Sequence, residues 1–310
     1  MFSVVIPYYK KKQYIERCIN AVLNQTCKDF EIIVVDDGSN DDLAELIQKK
    51  YQEKVILISQ ENQGVSVARN TGIAKASHDY IAFLDADDYW SPFYLQKAEE
   101  IITNEKEVKI IGSLYSKAKN EIESQNKKIQ YYLISDYFKN ALRNMLFFTS
   151  ATIVKKHFFT NNSDFNPKLK YGEDLDIWFR VMLSKGKAFY IENILVYYSN
   201  EDINQATKQK AKLEDAISAQ MFILYPDEML DAKFKEFANK YVYTNLYKAY
   251  FSDHNHILAS KILKQITKRY FLADIYYKIP YKLGEKLMRN SKVRKLARNY
   301  FKFLFRNIYN

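Results

Sequence analysis

The chain has 310 residues, of which 47% are hydrophobic, and this supplies enough apolar surface for a substantial core. Only seven glycines and five prolines are present, which argues against collagen-like repeats and long disordered linkers. The net charge of +10 lies entirely in residues 201–310, which hold 21 Lys/Arg and 11 Asp/Glu, whereas the first 200 residues hold 26 of each kind.

The first 90 residues alternate strand-like and helix-like segments. SVVIP is a short β-rich run, residues 13–25 carry apolar side chains at helical spacing, and EIIVV is an apolar strand. Ser39 or Asn40 is expected to cap the next helix, which runs to about Lys50. KVILIS, then GVSVARNTGIAKA opened by Gly64, then DYIAFLDADD predict strand, helix and strand. Apolar strands that alternate with helices indicate an α/β fold with a parallel sheet covered on both faces.

After residue 90 the pattern becomes mixed. The predicted elements are a helix over 92–104, a strand over 108–117, a helix from Glu173 to Ser184 and one or two strands in KAFYIENILVYYS. After Ser199 strand signals fade, and basic, aromatic-rich helical patterns continue. We therefore predict a catalytic α/β domain over 1–200 and a helical C-terminal region over 201–310.

Targeting and redox signals are weak. The apolar run at the start is far too short for a signal peptide, and basic residues follow it instead of preceding it. No stretch approaches the ~18 apolar residues that cross a bilayer. Cys18 and Cys27 lack metal-ligand spacing, so reduced thiols in a cytosolic protein are expected. We therefore expect a soluble or peripherally membrane-bound protein.

Acidic residues follow two of the predicted strands: Asp36 and Asp37 in one place, and Asp85, Asp87 and Asp88 in the other. Ligands of open α/β sheets bind beyond the carboxyl ends of the strands, so these acids should gather at one edge. Their mutual repulsion would be relieved by a divalent cation. No Walker loop or G-x-G-x-x-G follows the first strand, which argues against P-loop and Rossmann-type dinucleotide binding.

Four blocks of the sequence resemble, in order, the family-2 glycosyltransferases: VVIPYYKKKQYIERCINAVLNQT, FEIIVVDDGSNDD, NQGVSVARNTGIAKASHDYIAFLDADD and GEDLDIWFRV. A lone D-x-D is weak evidence because acidic turns are common, but four blocks in register are specific. The resemblance covers about residues 1–200. It implies a GT-A fold, a Rossmann-like domain with a mostly parallel sheet, together with an inverting reaction, a UDP-sugar donor and Mg²⁺ or Mn²⁺.

The resemblance also implies a role for each residue of the nucleotide site. Pro7 and Tyr8 would form the floor beside the base. Asp36 and Asp37 would contact uracil and ribose. Arg69 would lie near the nucleotide, donating to it or to those aspartates.

In the D-x-D block, the resemblance places Asp85 near the ribose, with Ala86 following it in the nucleotide-sugar site. Asp87 would be the direct metal ligand, and Asp88 either a second ligand or a solvated neighbour. Asp174 matches the catalytic base of the family.

The acceptor end is expected beside that base. Glu173 and Trp178 would lie there, although core packing is an equal alternative for Trp178. Asp41, Asp42 and Asp176 are interpreted as acids at helix starts.

The segment after the last strand departs from the family pattern. Family members often place an arginine and a histidine there, and YYSNEDINQATK has neither. Glu201 or Asp202 is a candidate to complete the metal shell, and Lys208 a candidate to meet the phosphate.

Residues 281–310 hold nine Lys/Arg and one acid, Glu285. The apolar residues that can share one helix face are Leu287, Val293, Leu296, Tyr300, Phe303 and Leu304. Such a pattern suits an interfacial helix on an anionic membrane, and a solvated helix packed on the catalytic domain is the alternative. No nucleic-acid-binding motif accompanies the charge, so no nucleic acid partner is expected.

The expected function is therefore transfer of a hexose, with UDP-glucose or UDP-galactose favoured, to a hydroxyl of a glycan. The resemblance favours a polyprenyl-diphosphate-linked oligosaccharide or a lipooligosaccharide as acceptor, at the inner face of a bacterial cytoplasmic membrane. Addition of a branching glucose in bacterial N-glycosylation is one candidate activity. The alternatives are a nucleotidyltransferase and a non-catalytic module that binds a nucleotide-sugar or a membrane.

Overall fold

The protein is described by a computed structural model that covers residues 1–161, 164–201, 212–252 and 254–309. The chain divides into two compact units. The first comprises Met1–Ser135, Leu146–Pro167 and Glu173–Gln209, and the second comprises Asp136–Met145, Lys168–Gly172 and Lys210–Asn310. Two short segments that precede residue 200 thus belong with the C-terminal helices. The domain boundary near residue 200 stays a prediction.

The first unit is built on one sheet. Within the described ranges its nine strands are β1 (Phe2–Tyr8), β2 (Phe30–Asp37), β3 (Ile56–Gln60), β4 (Tyr80–Phe83), β5 (Tyr89–Trp90), β6 (Val108–Ser116), β7 (Tyr131–Leu133), β8 (Thr152–Lys155) and β9 (Lys187–Tyr197). Their order is β3-β2-β1-β4-β8-β6-β9-β5, with β7 paired to β9. Strands β3, β2, β1, β4, β6 and β9 run one way, and β5, β7 and β8 run the other. The mostly parallel α/β sheet that the sequence predicts is confirmed.

The helices flank this sheet or form the second unit. They are α1 (Lys12–Leu23), α2 (Leu43–Lys50), α3 (Val65–Lys75), α4 (Tyr94–Asn104), α5 (Tyr137–Ala141), α6 (His157–Asn161), α7 (Glu173–Leu183), α8 (Ile217–Leu224), α9 (Ala232–Leu246), α10 (His256–Gln265), α11 (Phe271–Tyr277), α12 (Tyr281–Met288) and α13 (Ser291–Phe303). A short π-helical turn, Leu304–Ile308, follows α13.

The central strands are mostly apolar because helices cover both of their faces. Val4, Val5 and Ile6 of β1 are fully buried, as are Ile81, Ala82 and Phe83 of β4. Helix α3 packs so closely on β1 that a Cβ at Gly72 would lie 2.4 Å from Val5 Cγ1. This helix begins after Gly64, whose φ of 92° suits glycine, as the sequence predicts.

The predicted cap of α2 is wrong. The helix begins at Leu43, after Asp42, and not directly after Ser39 or Asn40. The Ser39 hydroxyl instead accepts the backbone N–H of Lys10 at 3.0 Å, and Asn40 adopts a positive φ of 53°. These two residues therefore form part of the turn after β2, and Asp41 and Asp42 precede the helix directly.

The described part of the second unit consists mainly of helices, with one isolated β-bridge between Tyr171 and Ala216, and has a core of aromatic rings. Phe234, Phe301 and Phe305 are buried, and the Tyr243 hydroxyl donates to Asp274 Oδ1 at 2.7 Å. Leu304, which the sequence places on the shared apolar face of the last helix, is also buried. No helix in the described part of the chain is both long enough and apolar enough to cross a bilayer.

Candidate active site

The carboxyl ends of three neighbouring strands form one edge of the sheet. Tyr8, the last residue of β1, lies opposite Asp36 in β2, and the pairing of β1 with β4 ends at Val5 and Phe83. The chain beyond Phe83 leads directly into Asp85. The predicted meeting of the two acidic strand ends therefore follows from the register of parallel strands.

Asp37 holds the loop between β3 and α3. Its Oδ1 accepts the side-chain N–H of Gln60 at 2.8 Å and the backbone N–H of Gln63 at 2.9 Å, and its Oδ2 accepts the backbone N–H of Gly64 at 2.8 Å. The carboxylate is buried. Asp36 is half-buried and accepts the backbone N–H of Ser39 at 3.0 Å. Of the two aspartates, Asp36 is the more accessible to a ligand.

Tyr8 has a fixed orientation beside the half-buried Pro7. Its hydroxyl donates to Asp41 Oδ2 at 2.5 Å, and burial together with this bond raises its pKa. Asp41 Oδ1 in turn accepts the backbone N–H of Leu43 at 3.1 Å, as expected of an acid at the start of α2. The tyrosine ring is therefore held at the end of β1 by Asp41, in the turn that precedes α2.

Arg69 is buried and bridges two acids that are far apart in sequence. Its guanidinium donates to Asp85 Oδ1 at 2.9 Å and to Glu173 Oε1 at 3.1 Å. The ring of Phe165 lies 5.3 Å from the guanidinium carbon. Burial alone would lower the pKa of Arg69, but the charges of Asp85 and Glu173 raise it overall. Arg69 therefore joins the D-x-D to the start of α7.

In the D-x-D, Asp87 has both its carboxylate and its backbone held by basic residues of the α1 region. Its Oδ2 accepts from Lys11 Nζ at 3.0 Å, and its carbonyl oxygen accepts from Arg17 Nη2 at 2.7 Å. Burial and the nearby charge of Asp85 raise the pKa of Asp87. Ala86, between the two acids, is buried. A cation bound next to Asp87 would therefore stabilise the ionised form of its carboxylate.

Asp88 is buried and forms hydrogen bonds within the fold. Its Oδ2 accepts from the Ser150 hydroxyl at 2.6 Å, and its Oδ1 accepts the backbone N–H of Ser199 at 2.8 Å. Burial raises its pKa well above the usual range. The Ser150 hydroxyl also accepts the backbone N–H of Asp85 at 3.0 Å. This geometry favours a role in positioning the D-x-D loop over direct metal coordination.

Two adjacent acids begin α7. Asp174 Oδ1 accepts the backbone N–H of Leu175 at 2.8 Å, and its Oδ2 accepts from the Thr149 hydroxyl at 3.3 Å. Burial raises the pKa of Asp174, and burial with the Asp174 charge raises the pKa of Glu173 to about 7. A carboxylate with a pKa near 7, as at Glu173, can accept a proton near neutral pH, and the raised pKa of Asp174 makes it a stronger base than an exposed aspartate.

Trp178 lies in the core of the first unit. It is fully buried, with its ring 6.2 Å from that of Phe83 and 6.0 Å from that of Phe147, measured between centroids. Of the two interpretations of Trp178, the geometry supports core packing, since no part of the side chain is exposed to an acceptor. Asp176 pairs with Arg180 at 2.8 Å, within its own helix.

The segment after β9 is described only as far as Glu201. The carboxylate of Glu201 pairs with Arg17 at 3.0 Å and with Lys119 at 2.5 Å. Asp202 and Lys208, the other candidates of this segment, lie outside the described residues.

Sequence reasoning missed four residues of this site: Lys11, Arg17, Thr149 and Ser150. The two hydroxyl residues carried a signal, because they interrupt the apolar run FFTSATIV. The two basic residues carried none, because α1 reaches the D-x-D only in the folded chain.

A divalent cation fits this donor set. Nowhere in the described ranges do three acidic, histidine or cysteine side chains form a ready-made metal cage. Mg²⁺ is usually bound by one or two carboxylates together with substrate phosphates and water, and Mn²⁺ also favours oxygen ligands. Asp87, with Asp85 beside it, offers such carboxylates, and burial together with the nearby charge of Asp85 raises the pKa of Asp87 even though Lys11 pairs with it. Asp85 and Asp87 therefore fit a divalent cation whose remaining ligands are water or phosphate oxygens.

Comparison with known families places this site in context. The model of the family described as "Glycosyl transferase family 2" matches residues 3–165. The chain belongs to glycosyltransferase family 2. The matched region includes the D-x-D, Arg69, Thr149 and Ser150, while Asp174 lies just beyond it.

Several curated relatives are similar to this chain over parts of their length. An uncharacterized glycosyltransferase of Nostoc sp. is 42% identical over 115 residues, which is 36% of this chain and 36% of the relative. The minor teichoic acid biosynthesis protein GgaA of Bacillus subtilis is 29% identical over 199 residues, 61% of this chain and 44% of GgaA. An uncharacterized glycosyltransferase of Methanocaldococcus jannaschii is 31% identical over 220 residues, 68% of this chain and 76% of the relative. The chain thus matches less than half the length of the first two.

Solved structures share the fold over almost the whole chain. TarS 1–349 of S. aureus, in complex with UDP-GlcNAc, has a TM-score of 0.70 at 17% identity and covers 99% of this chain and 91% of its own. The mannosyltransferase PcManGT of Pyrobaculum calidifontis, in complex with GDP-Man and Mn²⁺, has a TM-score of 0.59 at 14% identity, covering 100% and 86%. The predicted GT-A-type α/β fold with a helical C-terminal region is confirmed.

Proposed function

We propose that this family-2 glycosyltransferase is a metal-dependent, inverting hexosyltransferase that moves a sugar from a UDP-sugar to a hydroxyl of a glycan. The observation that carries the proposal is the bridge made by Arg69. One buried guanidinium holds both Asp85 of the D-x-D and Glu173, the neighbour of Asp174. The bridge would fix the donor end and the acceptor end of the proposed transfer site to one another.

The donor would lie along the edge formed by β1, β2 and β4. Tyr8 ends β1 and lies opposite Asp36 near the end of β2, so a uracil and its ribose can be met by a ring and a carboxylate acceptor. Asp87 would hold Mg²⁺ or Mn²⁺, which when bound stabilises the negative charge of the leaving diphosphate. The complexes of TarS with UDP-GlcNAc and of PcManGT with Mn²⁺ support this arrangement. UDP-glucose and UDP-galactose are the donors we favour.

Asp174 would act as the base. Its carboxylate takes the proton of the acceptor hydroxyl while the hydroxyl oxygen bonds to the anomeric carbon. The bond from that carbon to the diphosphate oxygen breaks at the same time, and its electron pair leaves with UDP. Attack from the face opposite the diphosphate inverts the anomeric centre. The raised pKa of Asp174 suits proton acceptance, and the Thr149 hydroxyl holds the carboxylate in place.

We further propose a lipid-linked acceptor at the inner face of the cytoplasmic membrane. In the second unit, large apolar side chains are exposed on helices α11, α12 and α13. They are Phe271, Ile275, Leu283, Leu287, Leu296 and Phe303. Residues 281–310 add nine Lys/Arg, which suits contact with anionic lipid. The teichoic acid role in the name of GgaA supports a cell-envelope or polyprenyl-diphosphate-linked glycan. Addition of a branching glucose in N-glycosylation falls within this class.

The test is a screen of UDP-sugars with the full chain, with and without Mn²⁺, that measures UDP release and glycan product. Metal-dependent UDP release from one hexose donor supports the proposal. Pyrophosphate release from UTP would instead indicate a nucleotidyltransferase. Tight UDP binding with no turnover on any donor and acceptor pair would indicate a non-catalytic module.

A further inference from the structure

Lys11 forms an ion pair with Asp87, the carboxylate that would bind the metal in the proposed transferase. Its Nζ is 3.0 Å from Asp87 Oδ2, and both side chains are largely covered, with 20% and 11% of their surface exposed. Lys11 directly precedes α1, whereas Asp87 follows β4, so the contact is made by the tertiary fold. The neighbouring pair, Lys12 with Asp42, shows the ordinary surface alternative, with 66% and 48% exposed.

A lysine ammonium and a divalent cation compete for the same oxygen. At a partly buried carboxylate the two positive charges repel strongly, because solvent screens them little. The ammonium is a compact point charge on a flexible stem, so it can leave without disturbing the backbone. Asp87 itself would stay in place, since Arg17 donates to its carbonyl oxygen at 2.7 Å and is in turn paired with Glu201 at 3.0 Å.

We propose that Lys11 is a resident counter-cation of Asp87, which the divalent cation displaces and which then binds the diphosphate of the nucleotide. This inference rests on the proposed function. Displacement of Lys11 costs free energy when the metal binds alone. When a nucleoside diphosphate binds as well, the released ammonium gains a new anionic partner. Metal and nucleotide should therefore bind cooperatively, and each should raise the affinity for the other by the same factor.

The experiment compares Lys11→Met with Lys12→Met in the full chain. Mn²⁺ binding is measured by electron paramagnetic resonance without nucleotide, and UDP binding by calorimetry with saturating Mn²⁺ and with EDTA. Lys11→Met should tighten Mn²⁺ binding without UDP by about tenfold and reduce the factor that couples Mn²⁺ to UDP by about tenfold. Lys12→Met should leave both quantities within about twofold, because its ion pair is solvated.

Two further variants separate charge from packing. Lys11→Arg keeps a cation at the same place and should keep Mn²⁺ binding weak, whereas a packing role would make it resemble Lys11→Met. Asp87→Asn should abolish Mn²⁺ binding and so fix the location of the metal. Thermal melting of each variant verifies that it is folded.

The outcomes distinguish this inference from the proposed function. If the unaltered protein binds Mn²⁺ and UDP but Lys11→Met leaves Mn²⁺ affinity unchanged or weaker, the counter-cation role is overturned and the transferase proposal stands. If the unaltered protein binds neither Mn²⁺ nor UDP, both are overturned.

Discussion

Asp85 and Glu173 share one buried guanidinium, that of Arg69, at 2.9 Å and 3.1 Å. Without that guanidinium, two carboxylates from different parts of the chain would face each other in a poorly solvated place. Arg69 therefore serves the stability of the first unit as well as the geometry of the site. Breaking such a buried set by removing one partner leaves the remaining charges uncompensated.

The first prediction concerns this bridge. Arg69→Met should lower the free energy of unfolding by about 3 kcal/mol, because it leaves the carboxylates of Asp85 and Glu173 without their shared guanidinium. Chemical denaturation near pH 7 measures the change. Lys50→Met, which breaks a solvated pair with Glu16, should cost less than about 1 kcal/mol. Equal losses in the two variants would show that the Arg69 bridge contributes no more than a surface ion pair.

The second prediction concerns the base. Asp174→Asn should reduce sugar transfer by roughly 10²- to 10⁴-fold, the usual contribution of a positioned general base. UDP affinity should be unchanged, because Asp174 lies at the acceptor end of the proposed site. Turnover and calorimetric UDP binding measure the two effects. The matched control is Asp42→Asn, at a surface pair with Lys12, which should keep full turnover. Near-normal turnover in Asp174→Asn would refute the assignment of the base.

The third prediction concerns the dependence of stability on pH. The pKa of Glu173 rises from the usual 4.5 to about 7, mainly through burial. Between these values the folded chain binds a proton that the unfolded chain has lost, so stability should fall as pH rises from about 4.5 to about 7. Glu173→Gln removes this titration and keeps an oxygen for Arg69.

Denaturation of the two proteins across that pH range measures the effect. The difference in unfolding free energy between Glu173→Gln and the unaltered chain should change in favour of the variant as pH rises, and level off above about 7. A constant difference across the range would mean that Glu173 titrates as an ordinary exposed glutamate.

The location of the site was predictable from sequence because it depends on strand ends. The acids at the end of β2 and those after β4 had to meet once these strands were parallel neighbours of β1. The hydrogen bonds of Asp37 to Gln60 and Gly64 were not predictable, because adjacent aspartates look equivalent in sequence. The sequence also left open whether Trp178 is buried or exposed to an acceptor. Helical spacing gives the period of the apolar residues but does not show which face of the helix packs on the core.

The rest of the sheet depends on long-range pairing that local patterns do not encode. Strand β8 has four residues, too few for a reliable period, yet it lies antiparallel between β4 and β6. The segments 136–145 and 168–172 belong to the second unit although they lie between parts of the first. The contact of Lys11 with Asp87 likewise joins two loops that no sequence spacing relates.

The last prediction concerns the exposed apolar surface of the C-terminal helices. Leu296 and Phe303 of α13 are 67% and 55% exposed, in a segment rich in Lys and Arg. Replacing both with serine should weaken binding to phosphatidylglycerol vesicles by about tenfold or more, because each apolar side chain that enters the interface contributes roughly 1.5–3 kcal/mol when fully buried. Vesicle sedimentation with the full chain measures this.

Leu230→Ser provides the matched control. Leu230 is 88% exposed but stands among Asp227, Glu228 and Asp231, which anionic lipid repels, so its loss should leave vesicle binding unchanged. Neutral phosphatidylcholine vesicles should bind the unaltered chain weakly, because the basic residues then find no partner. Equal binding of the unaltered chain and of the double serine variant to anionic vesicles would exclude α13 as the membrane contact.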